Sequence, residues 1–374
     1  MRICLRRQAS GSVRWYRSTM PHASFPQIAA FGRFSAFPSC RTSHLIIRPC
    51  PCPSFASTLV RLSVTTMRAV SFLLSLVAVV ASVKGAIVPE RRADRLCNGH
   101  AELCNRSYGN VTFLGAHDSF AFSEDPLAFS ADQRVDIPSQ LGLGVRLLQA
   151  QAHVNDGVLH FCHTDCFLFD GGPVEAYLEK VNTFLKANPN EVLTLIFTNP
   201  ENASLSGLWD PAFQKSGVAS FAYVPPSIPV KQSEWPTLGE LIDSGKRVVV
   251  FLDAGADTDR SVPYILPEFP MIWETPFSVT DPKFPCSVDR IKGPLGTTDH
   301  MYMINHSLNK NLFDLGIIIS DPIDAETTNG VPSILANAAG CEGFAAGRAP
   351  NFVLLDWVNI GDGLKAVNQL NGLA

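Results

Sequence analysis

Eight short apolar runs punctuate residues 111–358: VTFLGA, GVRLLQA, GVLHFCH, VLTLIFTN, RVVVFLD, MIWETPF, MYMINHS and FVLLDWV. A strand with one wet face alternates apolar and polar side chains. A strand covered on both faces has no need to, and several of these runs are apolar throughout, as parallel strands between two layers are. Helical patterns fall between some of the runs. Residues 173–187 open on a proline and place Val174, Tyr177, Leu178, Val181, Phe184 and Leu185 at helical spacing, before Asn188-Pro189-Asn190 ends the pattern. Residues 237–243, 333–339 and 363–370 are shorter helix candidates. Eight strands alternating with helices, without an internal repeat, predict an α/β fold: a single (β/α)8 TIM-type barrel, open to local distortion.

Three of the runs end in titratable side chains. His117 and Asp118 follow the first, His163 the third, and Asp356 the last. Barrels carry their catalysts at the C-terminal ends of strands, and two histidines with carboxylates suit proton transfer near neutral pH. A lone histidine is more often a satisfied structural residue; the recurrence at three strand ends is what argues for a site.

The barrel does not begin at residue 1. Residues 1–66 contain nine Arg and no Asp, Glu or Lys, and read as a non-structural leader or a misplaced upstream start, with a transit peptide as the rival. Residues 67–92 open with MRAVSFLLSLVAVVASVKGA, a basic start, an apolar core and a small-residue end, which is the pattern of a secretory signal peptide. Cleavage near Gly85 or Ala86 and processing at Arg91-Arg92 would leave a barrel of residues 93–374. The expected location is therefore extracellular, with no transmembrane span in the mature form. The C-terminal NQLNGLA offers no apolar tail for a lipid anchor. All 34 acidic residues lie after residue 66, against 21 of the 30 basic ones, a balance of −13. That charge excludes nucleic acid as a general partner and gives little attraction to anionic membranes. No feature calls for a second subunit, so a monomer is expected.

Six cysteines remain in the barrel region, and proximity pairs them Cys97–Cys104 and Cys162–Cys166, leaving Cys286–Cys341. Zinc is the rival reading of the close pairs, but their spacings fit no common zinc motif. Sequons begin at Asn105, Asn110, Asn202 and Asn305; the first three read as loop positions, and Asn305 as a strand end closed to glycosylation. Residues 223–236, rich in Pro and Ser, read as a rim loop of the kind that binds ligands.

GAHDSF, GVRLLQAQ, LHFCH, the block PVEAYLEKVNTFLKANPNEVLTLIF, WPTLGELI, MINHS and LLDW follow one another in an order that resembles the X-domain phosphatidylinositol-specific phospholipase C family, over roughly residues 100–370. The likeness is to its secreted, calcium-independent bacterial members and to the fungal phospholipase C-like phosphodiesterases. The resemblance implies a phosphodiester substrate, such as a phosphoinositide or a glycerophosphodiester, cleaved without cofactor or metal. It makes His117 the general base, Asp356 its partner, His163 the general acid and Asp118 an organiser of the site. His160 is the alternative acid. Asn305 and His306, at a strand end, are candidates to line the pocket.

The chain departs from the family on its second strand. Catalytic members read like G-I-R-x-x-D-x-R, whereas this chain has Gln149 for the Asp and Gln151 for the phosphate-binding Arg. A basic residue that the bacterial members offer after the fourth strand is Thr198 here. Strand alternation turns Gln149 and Gln151 inward as substrate-binding candidates and Arg146 outward. An amide can bond phosphate but cannot neutralise it. Two alternatives follow: a catalytically impaired barrel that binds a phospholipid or sugar-phosphate headgroup, and a Mg²⁺-dependent glycerophosphodiesterase-like enzyme, which would need carboxylates where the two glutamines stand. Trp357 reads as packing, Trp235 as a helix-entry contact, Asp253 as a loop cap or mouth residue, and Asp170-Gly171-Gly172-Pro173 as a turn into a helix.

Overall fold

The computed structural model describes residues 95–373, apart from 126, 127, 129 and 313–316, and all of these belong to one compact unit, Val83–Ala374. The leader, the signal peptide and Cys4, Cys40, Cys50 and Cys52 lie outside the described residues. The strands are β1 (Phe113–Ala116), β2 (Leu147–Asn155), β3 (Val158–Cys162), β4 (Asp170–Pro173), β5 (Leu193–Thr198), β6 (Val248–Leu252), β7 (Ile265–Pro267), β8 (Ile272–Glu274), β9 (Met301–Asn305), β10 (Asn309–Leu312), β11 (Ile317–Ser320) and β12 (Phe352–Leu355). The helices are α1 (Ile137–Gly142), α2 (Val174–Ala187), α3 (Asp210–Ser216), α4 (Leu238–Asp243), α5 (Ala325–Thr328), α6 (Val331–Cys341) and α7 (Gly363–Leu370).

Eight strands run parallel in the order β7-β6-β5-β2-β1-β12-β9-β8. This is the expected α/β architecture with one departure: among the described residues no ladder joins β7 to β8, so the hydrogen-bonded path is open there. Residues 268–271 link the two strands through a turn in which the Glu268 carbonyl accepts from the amides of Met271 and Ile272. No α-helix falls within residues 253–300, whereas α2, α3, α6 and α7 pack outside the sheet.

The third apolar run is not a barrel strand. It forms β3, antiparallel to the overshooting end of β2, with Ala152 opposite Phe161 and Asn155 opposite Val158. Asp156 and Gly157 make the turn with φ of 48° and 80°, the pairing that a two-residue hairpin loop selects. The eighth place in the barrel goes to β7, three residues that end in Pro267 and are too few to carry a pattern. Residues 223–236 also differ from expectation. They pack at the end of the barrel opposite the strand C-termini: Tyr223 N–H donates to the carbonyl of Val248, the first residue of β6, and Tyr108 N–H to that of Pro236. Trp235 is buried there against Tyr108 and Phe251 rather than near any strand C-terminus.

Alternation sorts the strand side chains into two layers. Phe113, Leu147, Ile196, Phe251, Met303 and Leu354 fill the lumen. Leu148, Ala150, Leu195 and Phe197 face outward onto Tyr177, Leu178, Val181 and Leu185 of α2. Gly115 is an inward position between these layers. A Cβ there would lie 2.7 Å from Leu147 Cδ2 and 3.1 Å from Leu354 Cδ1, so the two leucines close over a bare backbone just below His117. Arg247 is buried and spends its guanidinium on the carbonyls of Leu185, Asn188 and Glu191, satisfying the C-terminal end of α2. The cysteines pair as proximity suggests: Cys97–Cys104, Cys162–Cys166 and Cys286–Cys341, the last tying the helix-free stretch to α6.

Candidate active site

The same alternation aims the next inward residue of each strand at the mouth. His117 continues the inward face of β1 (113, 115, 117), and Asp356 that of β12 (352, 354, 356). Register places β1 between β12 and β2, so His117 stands with Asp356 on one side and Gln149 on the other. His117 Nδ1 lies 2.7 Å from Asp356 Oδ1, and Asp356 Oδ2 accepts the Ser320 hydroxyl at 2.5 Å. Trp357 Nε1 donates to that same Ser320 oxygen at 2.8 Å. The carboxylate is thus held from both sides, and with it the ring of His117.

Asp118 breaks the alternation. Its φ of 34° turns it into the left-handed region, which aspartate tolerates, and returns a fully buried carboxylate to the lumen. Gln149 Oε1 accepts the Asp118 N–H, while Gln151 donates to it twice, from its backbone N–H to Oδ1 and from Nε2 to Oδ2. Gln151 Oε1 accepts from the N–H of Thr164, beside His163. The two glutamines face inward as the sequence indicates, but these amide groups brace Asp118 and the His163 loop.

His163 sits inside the ring closed by Cys162–Cys166. Its Nδ1 lies 2.8 Å from the carbonyl oxygen of Ser130 and 3.3 Å from Asp132 Oδ2. Its Nε2 is 3.7 Å from Asp118 Oδ2, and His117 Nε2 is 3.8 Å from that same oxygen. Both imidazoles therefore present Nε2 to one shared carboxylate oxygen. His160 points away and pairs with Asp170 at the hairpin.

The remaining candidates separate by face. His306 is turned outward, as its position after inward Asn305 requires, and is buried against Asn337, Ser333 and the Thr328 carbonyl. It does not line the lumen. Asn305 faces inward, but its amide nitrogen donates to Glu274 and to the Thr275 carbonyl. Asp253 accepts the Asn199 N–H, and burial raises its pKa.

Three contributors come from segments outside the eight runs: Asp132 and Gln133 from the loop after β1, and Ser320 from the end of β11. Gln133 is wholly buried: Nε2 donates to the carbonyls of His117 and Leu355, and Oε1 accepts from Val358 N–H, so one side chain ties the loop after β1 to the ends of β1 and β12.

Electrostatically the site is carboxylate-rich. Among the described residues no Lys or Arg pairs with Asp118, Asp132 or Asp356. Burial alone would lower the pKa of His117, but the charges of Asp356 and Asp118 and the Asp356 hydrogen bond outweigh it and raise it to about 10. His163 is raised as well: burial opposes, and Asp132 and Asp118 prevail. Burial and the charge of Asp356 push Asp132 up to about 8, against the pull of the two imidazoles. Donor atoms of His117, Asp118 and Asp132 lie within 4.8 Å of one another, a spacing that a metal could use. Asp118 Oδ2 already accepts from Gln151, and the Asp132 carboxylate faces the His163 imidazole, so these donor atoms are engaged with neighbouring side chains.

The chain was compared with known proteins at the level of family, sequence and fold. The PI-PLC X family model matches residues 103–371. PI-PLC X domain-containing protein 1 of Arthroderma benhamiae is 42% identical over 318 residues, covering 83% of this chain and 100% of that protein. A second protein of that fungus, described as an uncharacterized secreted protein, is 40% identical over 290 residues, 75% of this chain and 64% of its own length. Among solved structures, the phosphatidylinositol-specific phospholipase C of Listeria monocytogenes superposes with a TM-score of 0.48 at 15% identity, covering 72% of this chain and 94% of that one. On the family match across most of its described length, and on the relative aligned end to end, the chain belongs to the PI-PLC X-domain family.

Proposed function

We propose that the protein is a secreted, metal-independent phosphodiesterase of the phospholipase C type, with His117 as general base and His163 as general acid. The observation that carries this reading is the pair of Nε2 atoms presented to one gap, with His117 backed by Asp356 at 2.7 Å. His117 Nε2 takes the proton of a hydroxyl vicinal to the phosphodiester, and that oxygen bonds to phosphorus. The bond from phosphorus to the departing alcohol breaks, and His163 Nε2 delivers the proton the alcohol needs. The product is a cyclic phosphate, which water opens with the two roles exchanged. Asp356 keeps the His117 proton inventory on Nδ1 and stabilises the cation formed in the first step.

The missing strand-two arginine has a physical substitute. The buried carboxylates hold both histidines toward their cationic forms, so a phosphate monoanion meets imidazolium N–H groups instead of a guanidinium. The same shift favours a second reading, a barrel that binds a phosphorylated headgroup without turnover, because a protonated His117 cannot act as base. Processing after residue 92, export and glycosylation at Asn105, Asn110 and Asn202, all exposed, complete the proposal.

The test is turnover of phosphatidylinositol and glycerophosphoinositol with and without EDTA, from pH 5 to 10. The metal-free enzyme is expected to be indifferent to chelator and to gain rate as the pH rises and His117 deprotonates. Chelator-sensitive turnover would end the metal-free mechanism. Headgroup binding with no turnover at any pH would establish the binding reading.

A further inference from the structure

The acid of this site has a backing that nothing in the strand pattern announces. Asp132 lies on the loop after β1, 2% exposed, with its Oδ2 buried, unbonded to any described donor, and 3.3 Å from His163 Nδ1. Its backbone is fixed at both ends: its N–H donates to the Ala121 carbonyl, and its carbonyl accepts from Trp357 N–H, next to Asp356. The neighbouring Gln133 anchors the same loop to His117. The carboxylate therefore cannot drift from the ring without moving the strand ends that carry the other catalytic group.

We propose that Asp132 is the positioning residue of the general acid, matching on His163 what Asp356 does for His117. This rests on the reading of His163 as the acid. Nδ1–H of His163 donates to the Ser130 carbonyl at 2.8 Å, so Nδ1 keeps its proton and the transferable one is on Nε2, facing the gap. When Nε2 releases that proton to the leaving oxygen, the ring remains neutral with Nδ1–H in place. Its Nε2 lone pair is then available to activate water for opening the cyclic phosphate. The Asp132 carboxylate stabilises the cationic ring before transfer where it is ionised, which burial and the charge of Asp356 delay to about pH 8, and it fixes the ring's plane throughout. Asp118, His117 and Asp356 are the other titratable groups that face this pair, and all three remain in an Asp132→Asn variant.

The experiment compares wild type, Asp132→Asn and Asp132→Glu on two substrates that differ in leaving group. One is phosphatidylinositol, whose alkoxide must be protonated; the other is a nitrophenyl inositol phosphate, whose phenolate leaves without an acid. For Asp132→Asn, kcat on phosphatidylinositol should fall about 10- to 100-fold, part of the about 100- to 10,000-fold that general acid catalysis supplies, with KM little changed. The alkaline limb of its pH profile should move to lower pH, and the loss on the nitrophenyl substrate should be several-fold smaller. Asp132→Glu should recover part of the loss. An equal loss on both substrates, or an unmoved alkaline limb, would overturn the proposal. Imidazole titration by NMR in the same variants separates this result from the function itself. A wild type without turnover whose His163 pKa nevertheless drops in Asp132→Asn sinks the enzyme and retains the coupling. An unchanged His163 titration in a folded variant sinks Asp132.

Discussion

His117 carries opposing demands. Asp356 and Asp118 raise its pKa to about 10, which favours anion binding, while base catalysis needs the neutral ring. The sign of the stability effect follows from that shift. A folded-state value above the unfolded value near 6.5 means the native state binds the proton more tightly, so the stabilisation is fully present below pH 6.5 and fades as the pH climbs toward 10. Urea midpoints of wild type and His117→Gln should differ more at pH 6 than at pH 10; a gap independent of pH would show that the carboxylates do not hold a cation there. His117 and Asp356 were legible because each follows an apolar run whose alternation faces them inward. Asp132 was not. It sits in a loop with no period, and its place is set by long-range contacts, its backbone bonded to Ala121 and Trp357 and its carboxylate against His163.

At the scale of elements, the seam between β7 and β8 stands out. Glu268 and Glu274, on the inward faces of the two strands' ends, are both buried, and they hydrogen-bond to one another where no backbone ladder runs. Arg290 pairs with Glu274 and lies over Phe269 and Phe277. Burial first, and then the charge of Glu274, raises the pKa of Glu268 well above the usual carboxylate range. A native acid that keeps its proton loses stability as the pH rises from about 4.5, the ordinary glutamate value, toward the raised one. Glu268→Gln keeps a donor for Glu274 and cannot ionise. In calorimetry its melting temperature should therefore fall less than that of wild type between pH 5 and pH 9, and parallel pH slopes would remove Glu268 from the seam's account. The sequence showed neither the seam nor β7, since three residues that end in Pro267 carry no period. The third run reads as a barrel strand, although Asp156-Gly157 before it is a two-residue hairpin turn whose spacing marks β3 as a hairpin arm.

For the whole molecule, the helix-free flank and the disulfides belong together. Residues 253–300 contain no α-helix of their own, and Cys286–Cys341 fastens that stretch to α6 across a sequence separation of 55. Cross-linking a loop of that size restricts the unfolded chain by about 4 kcal/mol, more than the two short pairs can. Cys286→Ala with Cys341→Ala should cost about that much in guanidinium unfolding. A loss no greater than that from removing Cys97–Cys104, whose separation is 7, would mean the loop length is immaterial.

A hoop of eight hydrogen-bonded strands fixes its bore by strand number and stagger. This one is a rolled sheet with a slit, and beyond the single turn at Glu268 the slit is fastened by the side chains of Glu268, Glu274 and Arg290 rather than by a ladder. The width of its mouth is therefore written in side chains. Substitution at those three positions is expected to change that width without breaking a single ladder.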